Sequence, residues 1–363
     1  MKYIYLFNLV ACVFIFFSCS EKQHYDALHT IKIAKEKELK QAFVSDFIAK
    51  VDFIELETSE NSILGIVSKL YVTQNRIYVL DVLKAKALFV FGKDGSFIKK
   101  IGRIGFGPGE YIGIIDFLVD KKSQQILLLV DRGERIMRMD YDGNYLGNIR
   151  LKQDFFAYMF SLEDSYVFGH RATGGKKYLL HIMDENFEEK QQHITTPEEY
   201  HRLARWKWVC YTGFQQNYLF SLPLFTTIFT INREDCIPKY EFDVDKAYKL
   251  TPEVAAMYDD EDALVEKTWD FFDLTSFFDL RTCLFATYSV SSNDYWCTYN
   301  FQSDDFRYVN CENLKNDMQV TPKSLQFFQQ LDENTIVGLL TDSNREEEEL
   351  NPMIAICKMK DTN

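Results

Sequence analysis

Two consecutive stretches of the chain, residues 67–101 and 116–151, spell the same four-strand unit twice. A repeat with a period near 50 residues marks propellers and stacked arrays, and it constrains this fold more than any other feature. In the first copy, apolar runs at 67–72, 77–80, 88–91 and 97–101 are separated by turns, the last being Asp94-Gly95. In the second, runs at 117–119, 126–130, 136–139 and 145–151 follow in the same order, with Asp142-Gly143 in the matching turn. Each Asp-Gly pair is expected to close a two-residue hairpin, because Gly enters positive φ freely and Asp better than most. The runs Leu88-Phe89-Val90-Phe91 and Ile126-Leu127-Leu128-Leu129-Val130 are apolar at every position, so both of their faces need cover. A propeller supplies it by sandwiching each blade between two others, and a closed ring removes the end units that an open stack must cap.

Further copies are more degenerate. Blade three is expected at 156–161, 166–170, 178–183 and 191–194, and blade four at 208–214, 218–222, 226–231 and 237–242. The aromatic-rich runs 275–278, 283–288, 295–301 and 306–309 make a fifth. Only three strands remain at the end, 325–331, 335–340 and Met353–Met359, so the fourth must come from residues 51–57 at the front. The fold class is therefore an all-β, six-bladed propeller of four-stranded antiparallel blades, closed by an N-terminal strand in the last blade. Two short helical insertions are expected on it, at 197–206 and 252–268, where Thr196 with Glu199 has capping-box spacing and Pro197 and Pro252 suit first turns.

The N-terminus carries an address. After Lys2 comes an apolar run from residue 3 to 17, short of the roughly 20 residues that span a bilayer, ended by Phe16-Phe17-Ser18-Cys19. This resembles a bacterial lipoprotein signal, whose peptide is cut before the cysteine that then carries the acyl chains. The resemblance makes 1–18 the signal peptide and Cys19 the lipid anchor, although Phe16 stands where that family usually has Leu. Burial of acyl chains contributes roughly 0.8 kcal/mol per methylene, so two or more chains hold a protein on a membrane. From residue 20 to 43 the composition shifts to Lys, Glu, Gln and His, which reads as a tether; residues 19–44 form anchor and tether, and 45–363 the propeller.

The net charge of -13 comes without basic stripes and argues against nucleic acid as a partner. Six cysteines lie beyond residue 200 with no CxxC pair, so no zinc site is expected and most read as small buried apolar residues. No cofactor motif, Ser-His-Asp set or HExxH spacing is present, and a monomer is expected.

Residues 102–111 read Gly-Arg-Ile-Gly-Phe-Gly-Pro-Gly-Glu-Tyr. Pro108 lacks an N–H and a strand follows, so the loop reads as a crossover between blades, with Arg103 and Glu110 pairing across the bend, more than as a phosphate cradle. With the lipoprotein signal, the strand Phe53-Ile54-Glu55-Leu56-Glu57-Thr58, the strand at 77–81 and the closing Asn351-Pro352, the chain resembles the six-bladed β-propeller lipoproteins common in gut-dwelling Gram-negative anaerobes. That resemblance is carried mainly by residues 45–151. It implies an NHL-like propeller, an outer-membrane lipoprotein facing periplasm or cell surface, and no catalytic residues to carry over.

Strand parity places the connections from second to third strand, and from fourth strand to the next blade, on one face. That face receives the Gly-rich loop, both helical insertions and the acidic stretch 341–351, while the other is trimmed to tight turns. Loops on a rigid scaffold are where binding resides. The candidate surface is Asp81, Lys84, Arg103, Glu110, Tyr111, Asp131, Arg132, Arg135, His170, Arg171 and Trp206. Asp81 and Asp131 also fit turn caps, His170 an ordinary loop histidine, and Trp206 a buried ring rather than a sugar platform. The first functional expectation is a non-enzymatic, membrane-anchored binding or interaction protein of the envelope, with a protein or glycan as ligand. The alternative is a lyase or hydrolase in the central funnel using carboxylates, Tyr111 or His170, and a structural envelope component is the third class.

Overall fold

A computed structural model describes residues 28–362 apart from 153–154, 171–179, 195–208, 216, 252, 255–256, 258–265, 342–344 and 346–348. Six four-stranded antiparallel sheets form, the first five each laid down in chain order from inner to outer strand. Blade 1 comprises Lys69–Val72, Arg76–Asp81, Ala87–Gly92 and Phe97–Ile101, and blade 2 comprises Ile114–Asp120, Gln125–Val130, Arg135–Asp140 and Tyr145–Arg150. The inner strands of blades 3 to 6 are Phe156–Leu162, Cys210–Phe214, Asp273–Asp279 and Leu325–Gln330. The outer strand of blade 6 is Ile48–Glu55, antiparallel to Met353–Met359 with Ile54 opposite Ile354. The ring therefore closes at six, with the last blade completed by the front of the chain.

No single core holds the molecule together. Six clusters of buried side chains lie one at each blade boundary, and the fully apolar strands explain themselves by serving two of them. In Arg76–Asp81, Ile77 and Val79 pack toward blade 6 while Tyr78 and Leu80 pack toward blade 2. Alternation is present, but both sides of these inner strands are interior. The six cysteines of this region are free thiols, four of them buried; burial pushes the Cys283 thiol up to about 11 and the Cys357 thiol to about 12.

Two expectations change, and a third falls mostly outside the described residues. The Asp-Gly turns are not two-residue loops: only Gly95 and Gly143 take positive φ, at 86° and 74°, and the pairing slips one residue in each hairpin. Each is a tight turn followed by a left-handed Gly bulge, with Asp94 Oδ1 accepting from Ser96 N–H. Residues 28–43 are not a free tether. His29–Lys32 joins blade 4 as a fifth, parallel strand beside Cys236–Asp243, and Ala42–Phe43 pairs with Leu314–Lys315 after blade 5. Backbone pairing, with Ile31 and Ala42 buried, holds a segment whose composition is polar. The helix expected at 197–206 lies outside the described residues, and of that at 252–268 only its ends are described, finishing in a short 3-10 turn at Thr268–Asp270.

Candidate functional site

The inner strands surround a central cavity of about 1150 Å³ to which all six blades contribute. Four of these strands carry a one-residue bulge, so that Ile115, Ala157, Thr275 and Phe328 are extra residues lining the cavity. Bulges of this kind bend a strand and re-aim its side chains. Near the loop-rich end stands an ion pair that the sequence reading missed. Lys69 donates to Asp116 Oδ1 at 2.8 Å, to the Phe117 carbonyl at 2.8 Å and to the Met159 carbonyl at 3.3 Å. Its ammonium also lies 5.3 Å and 5.2 Å from the ring centres of Phe117 and Tyr211. The Asp116 carboxylate accepts from the Phe117 and Met159 amides as well. Burial pulls the Lys69 ammonium below its usual range and pushes the Asp116 carboxyl above its own, while their mutual attraction opposes both shifts. Three donors meet three acceptors, so Lys69 joins blades 1, 2 and 3 and has no proton free for chemistry.

The candidate residues of blades 1 and 2 come together, but most are spent on structure. Asp81 is fully buried and accepts from the Gly65, Leu83 and Lys84 amides. Asp131 repeats the role, accepting from Ile112 N–H, and holds Arg135, whose guanidinium also donates to the Glu110 carbonyl. Glu110 pairs with Arg103 at 2.6 Å and accepts from Gly107 N–H at 2.8 Å; these bonds, the backbone one foremost, hold its carboxyl below the usual range. Tyr111 is buried and donates to the Lys86 carbonyl, and burial raises its phenol. His170 is also buried, stacked 4.4 Å from Phe156 and meeting His181 edge-on at 4.8 Å. Neither Glu110 nor Tyr111 lines the cavity. Of the candidate residues that are described, Lys84, Arg103 and Arg132 are left exposed. Cys19, Arg171 and Trp206 lie outside the described residues.

What the loop-rich face presents instead is apolar. Among the described residues, eleven of the seventeen exposed large apolar side chains sit in its connections and Phe301 alone sits in the opposite hairpins. They include Ile66 and Leu83, which also line the cavity mouth, and Phe106 at the tip of the Gly-rich loop, 93% exposed. The opposite face is instead laced by ion pairs between neighbouring blades, such as Lys122 with Asp164 and Arg281 with Glu333. The only sequence signal for this contrast was an apolar residue standing among turn formers, as in Gly105-Phe106-Gly107. Among the described residues no group of three or more metal-ligating side chains is gathered.

Fold and faces together define a closed six-bladed propeller with one apolar, loop-built side and one charged, hairpin-built side. The chain belongs to the family described as Domain of unknown function (DUF4934), whose model matches residues 28–358. Among solved structures it is similar to a "Putative exported protein" of Bacteroides fragilis, at 16% identity and a TM-score of 0.72 over 92% of this chain and all of that one. It is also similar to a member of the DUF4221 family from Bacteroides vulgatus, at 10% identity and a TM-score of 0.56 over 87% and 98% of the two chains. At these identities the likeness concerns the fold. No curated protein matches the sequence.

Proposed function

We propose that this chain is an exported, lipid-anchored binding protein of the outer membrane, acting through its loop-rich face and not by turnover. One observation carries the reading: among the described residues, eleven exposed large apolar side chains lie on that face against one on the other. Apolar side chains left in water over one whole face of a rigid ring mark a surface meant to be covered. Support for binding over chemistry comes from the cavity, where the half-buried Lys69 and the buried Asp116 spend their hydrogen-bonding capacity on each other and on backbone. The Bacteroides fragilis neighbour is described as exported, which agrees with the signal-like residues 1–18.

The test is a photo-crosslinking amino acid placed singly at Leu83, Phe106 and Phe301 in cells that make the full chain. Adducts are expected from the first two positions and not the third; adducts from Phe301 alone, or from none, overturn the reading. Incorporation of labelled palmitate, abolished by Cys19→Ala, checks the anchor separately.

A further inference from the structure

We propose that the central cavity is itself a binding site, for an uncharged, ring-bearing small molecule that aromatic walls grip and one amide orients. The site is separate from whatever covers the outer loops, because its walls are the ring's interior. At about 1150 Å³ it stands just above the roughly 300–1,000 Å³ of most small-molecule pockets, so a ligand of drug size fits.

Charge decides what the cavity can take. Of the carboxylates and ammonium groups on its walls, Lys93, Lys121, Lys122 and Glu163 stand exposed in the hairpins at one end. Asp120 lies at that end too, accepting from the Ser123 and Tyr166 hydroxyls. Among the described residues only Lys69 and Asp116 stand farther in, and they neutralise each other. A charged guest would shed water there and find no free counter-ion, whereas an uncharged one gives up little.

Between the two ends the wall is largely aromatic. Tyr71, Phe214 and Phe328, from blades 1, 4 and 6, line it half-buried, and Phe328 is the extra residue of a bulge. Such faces stack well against another ring. Polar partners are few. The inner strand of blade 6 carries three amides, of which Gln329 is spent on the Val72 backbone and Gln330 on the Asp279 and Asp332 carbonyls. Gln326 alone of the three stands exposed, with no partner among the described residues. One free amide offers both a donor and an acceptor, enough to orient a ligand by a single hydroxyl, carbonyl or amine. A sugar, with a hydroxyl on nearly every carbon, would leave most of them unpaired against these walls. Entry is from the loop-rich end, where the exposed Ile66 and Leu83 make the mouth apolar, while the other end is ringed by charge.

The experiment uses residues 20–363, which contain the whole strap and ring, and two probes that share one ring system. N-phenyl-1-naphthylamine is uncharged, and 1-anilinonaphthalene-8-sulfonate is its sulfonated counterpart. Fluorescence titration should find one saturable site per chain for the uncharged amine, and binding at least tenfold weaker for the sulfonate. Thr275→Trp and Gln326→Trp, each pushing an indole into the cavity from an exposed position, should weaken the amine at least tenfold. Gln326→Ala should weaken it roughly threefold, the loss of one hydrogen bond. Phe106→Ser, at the tip of the Gly-rich loop and outside the cavity, should change nothing. Thermal melts matching the parent show that each variant is folded, and Gln326→Ala, which removes only an unpartnered amide, keeps the test decisive where an indole disturbs its strand. Absence of saturable binding, equal binding of the sulfonate, or binding indifferent to the cavity variants overturns the inference. Binding lost in Phe106→Ser but kept in the cavity variants places the probe on the outer loops and overturns it as well, while crosslinking at Leu83 and Phe106 tests the loop-rich face separately.

Discussion

At the scale of single residues, the Lys69–Asp116 pair and Gly95 show how little slack the ring has. Removing one partner of a buried pair leaves the other uncompensated, which costs about 3–5 kcal/mol, whereas removing both costs far less than the sum. Chemical denaturation of Lys69→Met, Asp116→Asn and the double variant should therefore give a coupling energy above roughly 1 kcal/mol. Strict additivity would show that the two side chains do not act as a pair. At Gly95 a Cβ would stand 1.9 Å from the Glu55 carbonyl oxygen, at a φ of +86°. Gly95→Ala should cost about 2 kcal/mol or more, since left-handed backbone alone costs an L-residue roughly 1–2 kcal/mol. Gly113→Ala, with nothing within 4 Å, should be close to neutral. The sequence made Gly95 legible, because a turn glycine announces its backbone. It hid Lys69, because a lysine at a strand start looks like a solvent-facing end until Asp116, 47 positions on, is folded beside it.

At the scale of elements, the strap at 28–43 is where composition misled. Its hold is mostly backbone, as in the parallel pairing of His29–Lys32 and the Leu39 amide donating to the Tyr308 carbonyl, and backbone bonds leave no mark in residue type. One side-chain link makes the hold sensitive to acid. Hydrogen bonds from Lys37 and Arg307 keep the Asp305 carboxyl below its ordinary 3.8. A carboxyl depressed on folding adds stability that is complete above its unfolded value and is lost as the pH falls through the folded one. Strap protection at Leu39, read by hydrogen exchange corrected for intrinsic rates, should therefore be constant near neutrality and drop below about pH 4. Asp305→Asn should show the weakened protection already at neutral pH. Protection that follows acid but ignores this substitution would place the switch elsewhere. The degenerate blades 3 to 5 were readable for a related reason. Apolar runs persist where two interfaces demand them, even where the turns have drifted.

At the scale of the whole molecule, stability resides in six inter-blade cores with no centre, so every boundary depends on the ring being shut. The closing contact pairs Ile48–Glu55 with Met353–Met359, nearly the full chain apart, and such a pairing pays its loop-closure entropy late in folding. Two truncations separate the ring from its wrapping. Deleting residues 28–43 removes the strap but leaves all four strands of blade 6, and the chain should keep the parent's elution volume, with a single cooperative melt at lower temperature. Deleting residues 28–55 bares the backbone edge of Met353–Met359 along its whole length and opens the boundary between blades 6 and 1, where Ile54 packs beside Leu70 and Ile354. An unpaired edge of that length recruits other chains. Size-exclusion chromatography should then find species larger than the parent, or aggregate, and calorimetry a broadened or absent transition. A monomeric 56–363 chain that melts like the parent would mean that five complete blades and a three-stranded remnant suffice, and that the N-terminal strand decorates the ring without closing it.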